Sequence, residues 1–402
     1  MRVMYLSASG QLGGAEASLL DILASIREAQ PSWPLLLLIA AEGPLADRAR
    51  SLGVSATTLP FPRSIARLGE PGLSLSARPA AAARLALAAP FIAAYLGRLR
   101  RHVRHVNPDL LHTHGLKMHL LAAQARLRPK LVWHLHDYLG RRPGSARLLA
   151  WNRSRCSAVL ANSASVADDA RARLKDVAVG IVLNAIDVNR FAPAGARLNL
   201  DELAGLSPAA AQTVRVGLLG TFARWKGHAV FLNAVARISP SVPIRAYIIG
   251  DAIYDTDGSQ RTRDELEQLA NRLGIADRVG FTGFVARPDC ALRALDIVVH
   301  ASTEPEPFGL VIVEGMASER PVVVSAAGGA AEIITAGVDA LAYAPGDADA
   351  LAARITELAS DSELRARLGR AGRATAVARF DRSRLADQLV PIYRSVVAGP
   401  SS

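Results

Sequence analysis

Two glutamates eight residues apart, Glu306 and Glu314, carry the most specific chemical signal in the chain, inside the segment DIVVHASTEPEPFGLVIVEGMASERPVVVSAAGGAAE. Phe308 and Gly309 lie between them and open a helix predicted over 310–318. Glu306 then sits in the loop before the helix, and Glu314 about one turn inside it. The N–H groups of Gly309, Leu310 and Val311, at the positive end of the helix dipole, suit a diphosphate. A carboxylate beside them suits a ribose diol, because it accepts two hydroxyl hydrogen bonds. Dipole compensation explains acidic residues near a helix start. It explains neither the EPFG loop nor Gly328 and Gly329, which would open a second helix on the same sheet edge.

A second candidate is the loop SASGQLGGAEAS, where Gly13 and Gly14 let the backbone approach a ligand and the next helix start offers N–H groups to an anion. The loop is no GxGxxG fingerprint, and no acidic residue ends the following strand to hold a ribose. A plain tight turn accounts for it equally well. AspThrAsp at 255–257 imitates a metal-binding triplet, but its setting in YDTDGSQ reads as a solvated turn.

Short apolar runs alternate with helical stretches and must position these residues. Strands are predicted at 3–7, 35–41, 56–59, 109–113, 131–136 and 158–161, with helices at 15–29, 45–52 and 79–106 between them. From 193 to 212 the periodicity fades, so this stretch reads as a linker between a first domain over 1–192 and a second over 213–380. The second repeats the rhythm, with strands at 214–219, 244–249, 279–282, 297–300 and 321–325. An amphipathic helix over 382–397, in the terminal segment 381–402, can return to the first domain. Repeated βα alternation predicts an α/β chain with doubly wound parallel sheets.

Composition bounds the function. The 402 residues are 50% hydrophobic and 21% charged, which excludes a mainly disordered or fibrous chain. Cys156 and Cys290 stand apart in sequence, against a disulfide framework or a thiolate metal cluster. The N-terminal MRVMYLSASG lacks the apolar segment of a secretory signal, and no stretch is long and apolar enough to span a bilayer, so a cytoplasmic protein is expected. The net charge of +11 is uneven: residues 1–190 hold 25 basic against 12 acidic side chains, whereas 191–402 hold 22 against 24. A basic first half points to an anionic partner. Nucleic acid is not expected, since the arginines lie on helices without interleaved aromatics.

The chain resembles the retaining family 4 (group 1) glycosyltransferases. EPFGLVIVE matches their E-x7-E motif. The order of GGAE near residue 14, HTH at 112–114, WHLHD at 133–137, NAID at 184–187, GTFARWKGH at 220–228, IIGD at 248–251, FTGF at 281–284, GGAAE at 328–332 and APGD at 344–347 matches as well. The resemblance covers nearly the whole chain. It implies the GT-B architecture, two Rossmann-like domains facing a cleft, with the acceptor on the N-terminal domain and the nucleotide sugar on the C-terminal one. A nucleotide-sugar 2-epimerase of the same fold is the alternative.

Carried over residue by residue, the resemblance implies Glu314 on the ribose, the Leu310 and Val311 amides on the diphosphate, and Glu306 with Phe308 and Gly309 on the transferred sugar. Lys226 matches the family's phosphate-binding lysine, and His136 its histidine close to the reacting centre. Where the family has an arginine directly after the glycine of GTFARWKG, this chain has Thr221, which leaves Arg224 as the displaced cation. His112, His114, His134 and His136 fall at the ends of two strands and could converge on a metal, but no acidic or thiolate spacing accompanies them, so no metal and no cofactor are expected. The expected partners are a UDP-sugar, with a GDP-sugar next, and a glycan or glycolipid acceptor. Arg98, Arg100, Arg101 and Arg104 follow the apolar stretch 85–97, so an anionic membrane at the inner face is a further expected partner, as in assembly of a lipid-linked bacterial polysaccharide.

Overall fold

The computed structural model describes residues 1–62, 78–175, 177–252 and 259–399, with the backbone alone for 78–86. The AspThrAsp triplet lies outside them. The chain divides into two compact units, Met1–Ala185 with the segment from Arg382 on, and Ile186–Asp381.

The first unit is built on β1 (Val3–Ser7), β2 (Leu35–Ile39), β3 (Ser55–Thr58), β4 (Leu110–His114), β5 (Lys130–Leu135), β6 (Ala158–Ala161) and β7 (Val179–Ile181), in the order β3-β2-β1-β4-β5-β6-β7. The second has β8 (Val214–Leu219), β9 (Ile244–Ile249), β10 (Val279–Gly283), β11 (Ile297–His300), β12 (Val322–Ser325) and β13 (Leu341–Tyr343), in the order β10-β9-β8-β11-β12-β13. Every pairing within the two sheets is parallel. Helices cover both faces of such a sheet, so its inner strands are continuous apolar runs such as LLLLI in β2 and VVVS in β12. Strand order reverses between β1 and β4 and between β8 and β11. The carboxyl ends of those strands are the switch points where α/β sheets bind ligands.

The stretch 193–212 is ordered within the second unit and is no free connector. Buried Arg293 donates to the carbonyls of Arg190, Ala192 and Ala196. The helix Leu200–Leu203 carries Asp201, which takes hydrogen bonds from Arg215, Arg245 and Tyr247. Polar side chains make this order, which is why no apolar periodicity announces it. The unit boundary falls accordingly at Ala185/Ile186.

The helix Arg384–Ala398 packs Leu385, Leu389 and Tyr393 into one core with Leu19, Ile22 and Ile26 of the helix Gly14–Ala29. Arg384 ties it to the Leu183 and Asn184 carbonyls. In the helix Arg78–Val106, Tyr95, Leu99 and Val103 are core residues. Arg100 is spent on the Ala125 carbonyl at 2.7 Å, whereas Arg98, Arg101 and Arg104 are exposed with Phe91. Among the described residues no helix is long and apolar enough to cross a membrane.

Candidate functional site

In the second unit the chain leaves β8, makes the turn Arg224–Lys226 and reaches Gly227 at φ +76°. A Cβ at Gly227 would meet the Ala301 carbonyl oxygen at 1.7 Å, so the loop after β8 can lie on the end of β11 only because residue 227 has no side chain. That contact delivers Lys226 to Glu306, with Nζ 2.8 and 3.0 Å from the two carboxylate oxygens. Ser302 Oγ donates to Glu306 Oε2 at 2.6 Å, and His300 Nε2 lies 3.3 Å from the same oxygen. The Glu306 backbone is pinned as well, its N–H donating to Ala327 O and its carbonyl accepting from Gly329 N–H at 2.7 Å. The second glycine pair thus holds Glu306 in place. Burial would raise the Glu306 carboxyl, but the Lys226 ammonium and the His300 hydrogen bond hold it well below the usual carboxylate range.

Gly309, at φ +107°, starts the helix Leu310–Ala317 with no side-chain cap. The amides of Leu310 and Val311 therefore face outward from a helix start that lacks a side-chain acceptor, the usual setting for an anion. Glu314 lies on the same helix, half-buried and without a side-chain hydrogen bond among the described residues. Burial raises its carboxyl from 4.5 to about 7, against the pull of Arg190 and with a push from Asp289. Phe308 departs from the expected role: its ring is buried, edge-on against Phe380 with centroids 5.8 Å apart, so only its backbone remains for a ligand.

Arg224 is exposed and lies 3.6 Å from Glu265. A further cation, Arg261, which no motif in the sequence announced, lies close by. The segment 259–261 pairs with 222–224, through Arg261 N–H to Phe222 O and Arg224 N–H to Ser259 O, which sets Arg261 across from the Lys226 turn. Its Nε is buried with no hydrogen-bond partner among the described residues, and its guanidinium, with Lys226, acts on the neighbouring His228. Nothing in QRTRDELE marks this arginine, because a backbone pairing distant in sequence brings it in.

In the first unit, Gly13 caps the helix Gly14–Ala29, but its N–H is already held by Glu16 at 3.2 Å, which puts a carboxylate where an anion was expected. His136 follows β5, with Nε2 3.0 Å from His114 Nδ1. His112, His114 and His134 are buried beside it, and among the described residues five ring nitrogens of these four histidines have no partner with hydrogen-bond geometry. An orphaned buried polar atom costs about 1–3 kcal/mol, so such a cluster requires a physical reason.

Two all-parallel α/β units, the second with an uncapped helix start, a lysine and two carboxylates at its switch point, are the build of the GT-B class. Residues 209–375 match the family described as glycosyl transferases group 1, and residues 45–190 match glycosyltransferase family 4. The chain belongs to these group 1/family 4 glycosyltransferases. It is 31% identical over 208 residues to the lipopolysaccharide core biosynthesis glycosyltransferase LpsE of Rhizobium meliloti, covering 52% of this chain and 57% of that protein. It is 32% identical over 231 residues to the D-inositol 3-phosphate glycosyltransferase of Corynebacterium urealyticum, covering 55% and 52%. The chain thus spans about half the length of the curated relatives it matches. Among solved structures, Anabaena HepE in complex with UDP-glucose superposes with a TM-score of 0.78 at 26% identity, covering 98% of this chain and 99% of that one.

Proposed function

We propose that the chain is a retaining glycosyltransferase that moves a sugar from a nucleoside diphosphate, UDP before GDP, to a hydroxyl of a glycan or glycolipid. The observation that carries this reading is the Lys226–Glu306 pair beside the uncapped start of the helix bearing Glu314. The UDP-glucose complex of HepE and the lipopolysaccharide role of LpsE support it. Glu314 takes the ribose hydroxyls, and the Leu310 and Val311 amides take the diphosphate. Glu306, with the Gly309 backbone, faces the transferred sugar, where a carboxylate stabilises developing oxocarbenium charge. As the sugar–phosphate bond breaks, Lys226 and the helix amides meet the charge on the leaving diphosphate. His136 serves the acceptor. Product analysis by NMR after incubation with UDP-glucose tests the reading: glycoside and UDP formed only with acceptor support it, and a C2 epimer formed without acceptor contradicts it.

Arg261 takes the place of the family's missing arginine. Losing one charge-assisted hydrogen bond costs about 1.5–3 kcal/mol, so Arg261→Gln is expected to weaken UDP at least about ten-fold while leaving uridine unaffected. Calorimetry with both ligands checks this, and equal UDP affinities would remove Arg261 from the site.

With Lys226, Arg261 and the helix amides on the diphosphate, transfer is expected to proceed without Mg²⁺ or Mn²⁺. Activity lost in EDTA and restored by either ion would show that the phosphates need a metal.

For a glycolipid acceptor, the exposed Arg98, Arg101 and Arg104 are expected to hold the chain on anionic vesicles, at about 1 kcal/mol each. Co-sedimentation at low salt should fall sharply in the triple glutamine variant. Binding that the variant retains would rule this surface out.

A further inference from the structure

His112 and His114 leave β4 on one face, and the strand register sets His114 opposite His134 of β5. The three rings are in contact, with centroids 4.8 Å apart for His112 and His114, 5.3 Å for His112 and His134, and 5.4 Å for His114 and His134. Each ring has a neighbour on its outer side. Tyr393 OH lies 2.5 Å from His112 Nδ1, His136 Nε2 lies 3.0 Å from His114 Nδ1, and the Val182 backbone lies beside His134. The opposite nitrogens, Nε2 of His112 and of His114, have no partner among the described residues, and neither ring nitrogen of His134 has one with hydrogen-bond geometry. One ligand atom from each ring lies within 4.8 Å of the others.

We propose that His112, His114 and His134 bind one divalent transition-metal ion of the zinc class. Three imidazoles with no carboxylate among them suit Zn²⁺, Co²⁺ or Ni²⁺ and not the oxygen-seeking Mg²⁺ or Ca²⁺. Zinc–nitrogen bonds of about 2.0–2.1 Å bring tetrahedral ligand nitrogens to about 3.4 Å apart, so the rings close on the ion by about an ångström and leave the fourth position to water. The outer contacts are those that orient metal-bound histidines: one ring nitrogen fixed by a hydroxyl, a second ring or a backbone group, the other facing the ion. Bound through Nε2, His114 keeps its proton on Nδ1 and donates it to His136 Nε2. The site holds whether or not the donor assignment does, since every ligand belongs to the first unit.

The test uses the full chain without a polyhistidine tag. Elemental analysis after purification in chelator-free buffer should find close to one zinc-class ion per chain. Stripped protein should take up Co²⁺ with the intense visible absorption of a tetrahedral site. His134→Gln and His112→Gln should abolish stoichiometric uptake, with circular dichroism reporting their folding. Tyr393→Phe keeps all three ligands and should weaken Zn²⁺ about ten-fold or more by freeing the His112 ring, which keeps the test decisive if a histidine variant fails to fold. Replacing His102 and His105, which lie on the helix Arg78–Val106, should change nothing. No stoichiometric ion, uptake that survives loss of both His112 and His134, or uptake that disappears with His102 and His105 would overturn the proposal.

Discussion

Lys226→Ala is expected to damage both folding and donor binding. Glu306 is 6% exposed and has Lys226 as its counter-charge, so the variant leaves a buried carboxylate, beside Ser302 and His300, without that ammonium. Removing one partner of a buried pair costs about 3–5 kcal/mol, because the remaining charge stays desolvated. Denaturant unfolding should show a loss of that order for Lys226→Ala, and most of it should return in Lys226→Ala with Glu306→Gln, where no orphan charge remains. UDP affinity should fall about ten- to a hundred-fold in both, since neither has the ammonium for the diphosphate. A stable single variant, or a double variant no more stable than the single one, would mean that the pair is not buried as described.

Glu314 gives the second large effect, with a sign fixed by its raised pKa. Its carboxyl moves from 4.5 to about 7 on folding, so between those values the folded chain holds a proton that the unfolded chain has released. Stability therefore falls as pH rises through that window, by about 3 kcal/mol at its upper end. Glu314→Gln should match the parent below about pH 4.5 and be more stable above about pH 7. Donor binding runs the other way: only the ionised carboxylate accepts both ribose hydroxyls, so uridine affinity should rise up to about ten-fold per pH unit toward pH 7 and then level. Uridine is the chosen probe because it has no phosphate to titrate in this range. A pH-independent uridine affinity, or the same profile in Glu314→Gln, would take Glu314 off the ribose.

The inner strands were legible because parallel strands buried on both faces are unbroken apolar runs, as in β2 and β12. The three-residue strands β7 and β13 were not, since β7 is a sheet edge with two of its residues exposed. The stretch 193–212 misled because Asp201 and Arg293 order it through polar contacts that no hydrophobic period records. At the site, Glu306 and Glu314 stood out because one loop and one helix turn hold both. Lys226 needed the family resemblance. Ser302, His300 and Arg261 became visible only once tertiary contacts placed them, and Phe308 turned inward because Phe380, far along the chain, packs on it.

Calorimetric titration of the chain with UDP, with Glu314→Ala and Lys226→Ala alongside, decides whether the second unit holds a nucleoside diphosphate through these residues. Saturable one-to-one binding by the parent, weakened in both variants, is expected. No binding by the parent, or equal affinity in all three proteins, would mean that Glu314 and Lys226 do not form a donor site.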